Sequence, residues 1–357
     1  VKEERMNNAT QQARFRRRLR QYALAFMVMA VMVVAAPFSG LLLLDATAEQ
    51  GFVNGDNPRS EYWREVRQGE SGYTAVQGKE TGTLIQNGGQ NWRALRNGPL
   101  ANYGGWLLGV LLVALLAYYL IHGQVRLEHG RSGRTVTRWS MLERVLHWLT
   151  TITFLVLAVT GLSLLFGRAV LIPVIGKEAF AAYAALAKDA HNYLGPVFGV
   201  CLVLFLIKLL PYNIPAKHDL EWFKRGGGMF GGKEPSAGRM NAGEKSWFWT
   251  LSTLGIALVV SGLFLDFPVF GLDREGLQWS HLVHGITAFL VIAFSFLHMY
   301  LGTIGNEGAF EGMVNGEVDV NWVIQHHDLW HEELKHQSSG SGADASLSGE
   351  GAAPRTG

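Results

Sequence analysis

"HLVHGITAFLVIAFSFLHMY", residues 281–300, places three histidines in a run that is otherwise almost entirely apolar. His281 and His284 open it, and His298 nearly closes it. Such a run is long enough to cross the hydrocarbon core of a bilayer as a helix, which takes about 20 residues. An imidazole inside hydrocarbon is costly unless something there takes up its lone pair. The stretch therefore reads as a membrane helix with a chemical reason to keep histidine.

Four further apolar runs of similar length precede it, at 102–121, 143–166, 190–210 and 247–266, and the quoted run belongs to a span at 282–303. The expected fold class is all-α and integral to the membrane, a bundle of transmembrane helices. Composition agrees: 48% of residues are hydrophobic and only 17% charged, against about 25% charged in ordinary soluble domains. The net charge of +2 provides no basic field for nucleic acid, so the expected surrounding is lipid. The single cysteine, Cys201, excludes an intrachain disulfide, a cysteine-held iron–sulfur cluster and a CxxCH haem attachment. A buried redox centre in this chain must rest on histidine or methionine.

A sixth apolar run, 22–44, follows the basic block "RFRRRLR" (14–20) and precedes Ala46-Thr47-Ala48. It reads either as a secretory signal cut after Ala48 or as a retained N-terminal anchor; in both cases the chain from residue 49 starts outside. Loop 122–142 carries Arg126, Arg131, Arg134 and Arg138, and loop 211–246 carries Lys217, Lys224, Arg225, Lys233, Arg239 and Lys245. The positive-inside rule puts both, and the C-terminus, in the cytoplasm. Loop 167–189 is mixed, and 267–279 has only Arg274. The segments are then 1–48 (signal or anchor), 49–101 (a periplasmic strand-and-turn elaboration), 102–122 (an extra span), 138–335 (the main membrane domain) and 336–357 (a disordered Ser/Gly/Ala-rich tail).

The histidines sort by depth. His147 begins an outward span and His298 ends an inward one, so both lie near the cytoplasmic side. His191 and His284 both begin inward spans, near the periplasmic side. Between His284 and His298 lie four turns, about 21 Å at ~1.5 Å per residue, and the two differ by only about 40° around the axis. Two histidines at each of two levels are what two stacked haems need, each iron ligated by two imidazoles. Zinc would want a closer, mixed ligand set, and the five spans hold no interior carboxylate, Glu143 and Asp266 standing at span ends. His281 reads as an interfacial residue or a haem-propionate partner, and His122 and His129 as interface residues. His218 lies in a polar loop. "HHDLWHEELKH" (326–336) reads as a solvated amphipathic tail rather than a metal site. A faint internal echo, "FLVLAVTGLSLLF" (154–166) against "GIALVVSGLFLDF" (255–267), repeats Val-x-Gly-Leu. The glycines admit either ordinary helix packing or the close approach of a flat ligand.

Several ordered pieces, "ERVLHWLT" (143–150), "DAHNYLGPVFG" (189–199), "YNIPAKHDLEW" (212–222), "MNAGEKSWFW" (240–249), "LVHGITAFLVIAFSFLHMY" (282–300) and "VIQHHDLWHEE" (323–333), resemble the gamma subunit of membrane-bound respiratory formate dehydrogenase. That subunit is a four-helix di-haem cytochrome b, here in a longer form with an N-terminal extension. The resemblance, over 138–335, implies two haem b groups on His147, His191, His284 and His298. It further implies an electron-transfer subunit of a bacterial inner-membrane oxidoreductase complex, working in a respiratory chain. Its partners would be an iron–sulfur beta subunit and a molybdenum- or tungsten-containing alpha subunit that holds the formate site. Electrons would leave to a quinone touching Asn241 and Gly243. From the residues alone, Asn241 reads rather as a loop turn or a helix cap before 244–266. Rival readings are the cytochrome b of a nickel–iron hydrogenase or thiosulfate reductase, a histidine-lined transporter and a haem-free anchor.

Overall fold

The computed structural model describes residues 64, 68, 87–228 and 234–340. The signal or anchor at 1–48 and most of the segment at 49–101 lie outside the described residues, as does the tail beyond 340. Five helices are long and apolar enough to cross a membrane: Gly88–His122, Met141–Val170, Ile172–Tyr212, Ala242–Asp266 and Arg274–Gly305. Each contains one of the expected spans, and the chain is an integral membrane helical protein. Many of their large apolar side chains, such as Val110, Val113, Leu120, Ile152, Val200, Ile207 and Ile286, are exposed. Surfaces of that kind are stable against lipid and not against water.

The elements are, in order, α1 (Asn87–Leu95), α2 (Ala101–His122), β1 (Thr135–Thr137), α3 (Met141–Val170), α4 (Ile172–Leu209), α5 (Lys217–Lys224), α6 (Ala242–Thr250), α7 (Ile256–Asp266), α8 (Arg274–Tyr300), α9 (Ala309–Asn315), β2 (Glu317–Asp319), α10 (Val320–His326) and α11 (Asp328–Gly340). Wide π-helical turns, Arg96–Leu100 and Leu251–Gly255, join α1 to α2 and α6 to α7. Three features differ from the expectation. Residues 87–100, expected as strand and turn, are helical. The interval 167–189, expected as a loop, is helical almost throughout; only Gly176, at φ 80°, breaks α4. Helix α11 continues to Gly340.

Two compact units make up the chain. In the first (1–115, 151–200 and 254–296) the extra span is part of the core. Leu108 and Leu112 of α2 pack with Phe289, Ile292 and Ala293 of α8, joined by Phe154, Leu162, Leu165 and Phe166 of α3. Gly104 lies so close to the Phe289 ring that a methyl group there would overlap it.

The second unit (116–150, 201–253 and 297–357) is built on polar anchors. Ser140 and Glu143 cap α3 reciprocally: the Ser140 N–H donates to Glu143 Oε2 at 2.8 Å and the Glu143 N–H donates to Ser140 Oγ at 3.4 Å. The buried Glu143 carboxylate also meets Lys208 at 3.7 Å and Arg239 at 3.9 Å. Strands β1 and β2 pair antiparallel, Val136 opposite Val318. Gly316, at φ +88°, ends α9 in the left-handed conformation, and a Cβ there would stand 2.6 Å from the Trp139 carbonyl.

The "HHDLWHEELKH" segment is not a solvated tail. His327 is fully buried and His331 nearly so, beside Trp322, Val323 and Trp330. Desolvation, with Arg138 adding to it, pushes the His327 pKa down to about 3. The neutral ring donates from Nδ1 to the Gly238 carbonyl at 2.7 Å. The segment's amphipathic spacing was legible; that its apolar face meets a core rather than water was not.

Candidate haem-binding sites

In the first unit, His191 of α4 faces His284 of α8 with ring centroids 6.2 Å apart and planes at 74°. In the second, His147 of α3 faces His298 with centroids 6.3 Å apart and planes at 57°. These are the two pairs expected from depth. An imidazole nitrogen binds a first-row metal at about 2.0 Å, and a ring centre lies about 1.1 Å further on, so two axial rings on one metal stand roughly 6.2 Å apart. Both pairs have that separation.

The outer nitrogens support the same orientation. His284 Nδ1 lies 3.0 Å from the Leu258 carbonyl and 3.4 Å from Ser261 Oγ. His191 Nδ1 lies 2.9 Å from Thr160 Oγ1. The Thr160 hydroxyl proton is already given to the Val156 carbonyl at 2.8 Å, so here the hydroxyl oxygen accepts and the ring donates. With Nδ1 protonated in both rings, the lone pair is on Nε2, the arrangement typical of a metal-ligating histidine held by an outer hydrogen bond.

The internal echo now has a structural meaning. In Val159-Thr160-Gly161-Leu162 and Val260-Ser261-Gly262-Leu263, the hydroxyl residue meets a ring nitrogen and the following glycine makes room for the ring. A Cβ on Gly161 would lie 3.1 Å from His191 Cε1, and one on Gly262 would lie 3.0 Å from His284 Cε1. Of the two readings left open for these glycines, the contact seen is helix packing, against an imidazole of a neighbouring helix.

In the second pair, His147 Nδ1 is buried without a hydrogen-bond partner, and the Trp247 indole stacks on His298 at 5.2 Å with planes at 19°. A facing pair of imidazoles at this separation suits a flat metal–porphyrin group. The residues fit haem.

A family profile described as prokaryotic cytochrome b561 matches residues 138–316, half of the chain, and includes all four histidines. The chain belongs to the prokaryotic cytochrome b561 family. A cytochrome b binds haem b. Individual relatives carry more specific names. One is the "Formate dehydrogenase, nitrate-inducible, cytochrome b556(Fdn) subunit" of Escherichia coli (strain K12), 25% identical over 57% of this chain and 93% of that protein. Another is the "Formate dehydrogenase, cytochrome b556(fdo) subunit" of the same organism, 26% identical over 56% of this chain and 94% of that protein. A third is the "Formate dehydrogenase, cytochrome b556 subunit" of Haemophilus influenzae, 27% identical over 53% of this chain and 79% of that protein.

Asn241 is the N-cap of α6. Its Oδ1 accepts the Glu244 N–H at 2.9 Å, and Glu244 Oε2 accepts the Asn241 N–H at 3.0 Å. Gly243 is approached by the Trp222 indole of α5: a Cβ there would lie 2.8 Å from Trp222 Cη2. Both features have structural work at this helix start. Sequence reading missed Thr160, Ser261 and Trp247 as partners of the histidines, although the Val-x-Gly-Leu echo carried the signal for the first two.

One expected result follows from the unequal outer contacts. Thr160→Val keeps the shape but removes the hydroxyl acceptor of the His191 Nδ1 proton, leaving only the more weakly placed Leu157 carbonyl beside that ring. The imidazole becomes a weaker donor to iron, so a redox titration should show one haem at higher potential with its absorption retained. Ser261→Ala should leave that value unchanged, because the Leu258 carbonyl still takes the His284 proton. Equal shifts in both variants would contradict the assignment of these contacts.

Proposed function

We propose that the chain is the cytochrome b subunit of a respiratory formate dehydrogenase, anchoring the complex in a bacterial inner membrane and passing electrons through two b haems to quinone. The observation that carries this reading is the pair of imidazole facings at 6.2 and 6.3 Å. The names of the relatives support formate as the electron source. Each bound haem would supply one-electron chemistry. In this reading electrons arrive from an iron–sulfur subunit, itself reduced by a molybdenum- or tungsten-containing catalytic subunit. They enter at the His191/His284 site and leave from the His147/His298 site. The segment 49–101 lies in the periplasm and the C-terminus in the cytoplasm.

The protein's own residues do three things. His147, His191, His284 and His298 would hold the haem iron through Nε2. Thr160 and the Leu258 carbonyl fix the tautomer of two of them. Asn241, whose Oδ1 is engaged in the cap, keeps its amide N–H groups to donate to a quinone carbonyl.

A reduced-minus-oxidised spectrum of membranes tests the haem reading, and two b-type centres with distinct potentials are expected. The quinone reading needs a variant that spares the cap. Asn241→Ser retains the Ser-x-x-Glu capping box and withdraws the amide. Both haems should remain reducible by the donor, with reoxidation by quinone slowed at least several-fold. Reoxidation at the parental rate would remove Asn241 from the quinone site.

A further inference from the structure

Helix α1 and the π-helical turn after it, both outside the family match, bring buried polar atoms against α8. The Trp92 indole of α1 stands edge-on to the His281 imidazole of α8, with centroids 5.4 Å apart and planes at 86°. Arg96, at the start of the π-helical turn, lies within electrostatic reach of the same imidazole. Trp92 Nε1, Arg96 Nε and His281 Nδ1 are all buried, and among the described residues none has a hydrogen-bond partner. Among the described residues no carboxylate pairs with Arg96. Its Nη1 donates only to the neighbouring Asn97 side chain, at 2.9 Å.

The turn is held on α8 at this level. Leu100 packs so closely on Gly285 that a Cβ there would lie 2.8 Å from it. Pro99 sits inside the turn, where it cannot donate to the backbone ladder and the wider helix accommodates it. Each buried donor left unpaired costs about 1–3 kcal/mol, more for a charged group. Two potential donors and a guanidinium brought together in this way suit an anion. His281 is one turn before His284 on the same helix.

We propose that Trp92, Arg96 and His281 form a cradle for a carboxylate, a propionate of the haem held by His191 and His284. This rests on the haem reading above. The extra helix then completes the cofactor site of the first unit, in addition to packing against its core.

The test is a spectroelectrochemical titration of the full-length protein in purified form. A propionate left without its guanidinium favours the ferric over the ferrous state. Arg96→Gln should move one haem to lower potential and leave the other in place. Arg96→Lys, which keeps the charge, should restore most of the parental value. Trp92→Phe keeps the ring packing and deletes one donor, and a smaller shift in the same direction is expected; it decides the question by the same readout if Arg96→Gln does not accumulate. Unmoved potentials in the accumulating variants, or the same shift in Arg96→Lys as in Arg96→Gln, would overturn the cradle. Unmoved potentials together with loss of a co-purifying anionic phospholipid, read by mass spectrometry, would overturn it in favour of a lipid phosphate. A parent protein without haem would sink the haem reading itself, whereas a parent with two haems and unresponsive potentials would sink only the cradle.

Discussion

His191→Ala and His284→Ala are each expected to halve the haem content, and so are His147→Ala and His298→Ala, but at the other centre. A porphyrin iron held by one imidazole loses the axial bond and the orientation that the opposite ring supplies, and each pair lies within a single compact unit. Double variants make the pairing decisive. His191→Ala with His284→Ala should lose no more haem than either alone, because one site has already failed. His191→Ala with His147→Ala should lose all of it. Haem extracted per mole of purified protein, with the potential of what remains, reads both. Complete loss in the His191/His284 double variant, with half loss in each single, would mean that the two histidines serve different irons.

Asp219→Asn is expected to be the most destabilising single change at the helix start that holds Asn241. Lys245 Nζ lies 2.9 and 3.0 Å from the two Asp219 carboxylate oxygens, and both side chains are only about a tenth exposed. Asp219 Oδ2 also accepts the Ala216 N–H at 2.6 Å, where α5 begins. Removing one member of a buried pair leaves the other charge without compensation, typically at a cost of about 3–5 kcal/mol. Thermal unfolding in detergent should show a clearly lower midpoint for Asp219→Asn. Asp219→Leu combined with Lys245→Met should recover much of the loss, because it removes the stranded ammonium as well. If Asp219→Asn unfolds at the parental temperature, the pair does not hold α5 to α6.

Some properties of this protein are set along single helices and others only between them. The five spans were legible because crossing a bilayer is a requirement on the length and apolarity of a continuous stretch. The partnership of His147 with His298 and of His191 with His284 followed from helix rise and the alternation of direction, which are also properties of single helices. The cap at Asn241 rests on a spacing of three residues and was readable for the same reason.

Rotation of one helix against another has no such local signature. The sequence contained Thr160 and Ser261, but nothing along the chain says that one hydroxyl would take the His191 proton while a backbone carbonyl, that of Leu258, would take most of the His284 one. Arg96 and Trp92 lie nearly two hundred residues before His281, and only the docking of the extra helix brings them beside it. The interval 167–189 looked like a loop because its charges, Arg168, Lys177 and Lys188, interrupt the apolar pattern, yet the backbone stays helical around Gly176. His327 looked hydrated because its neighbours in sequence are polar, and it is buried because its neighbours in space are Trp322 and Trp330. Hydrophobic length and helical period therefore determine the spans and the histidine levels. Side-chain burial and the partners of each ring nitrogen depend on contacts between distant segments, which tertiary packing alone decides.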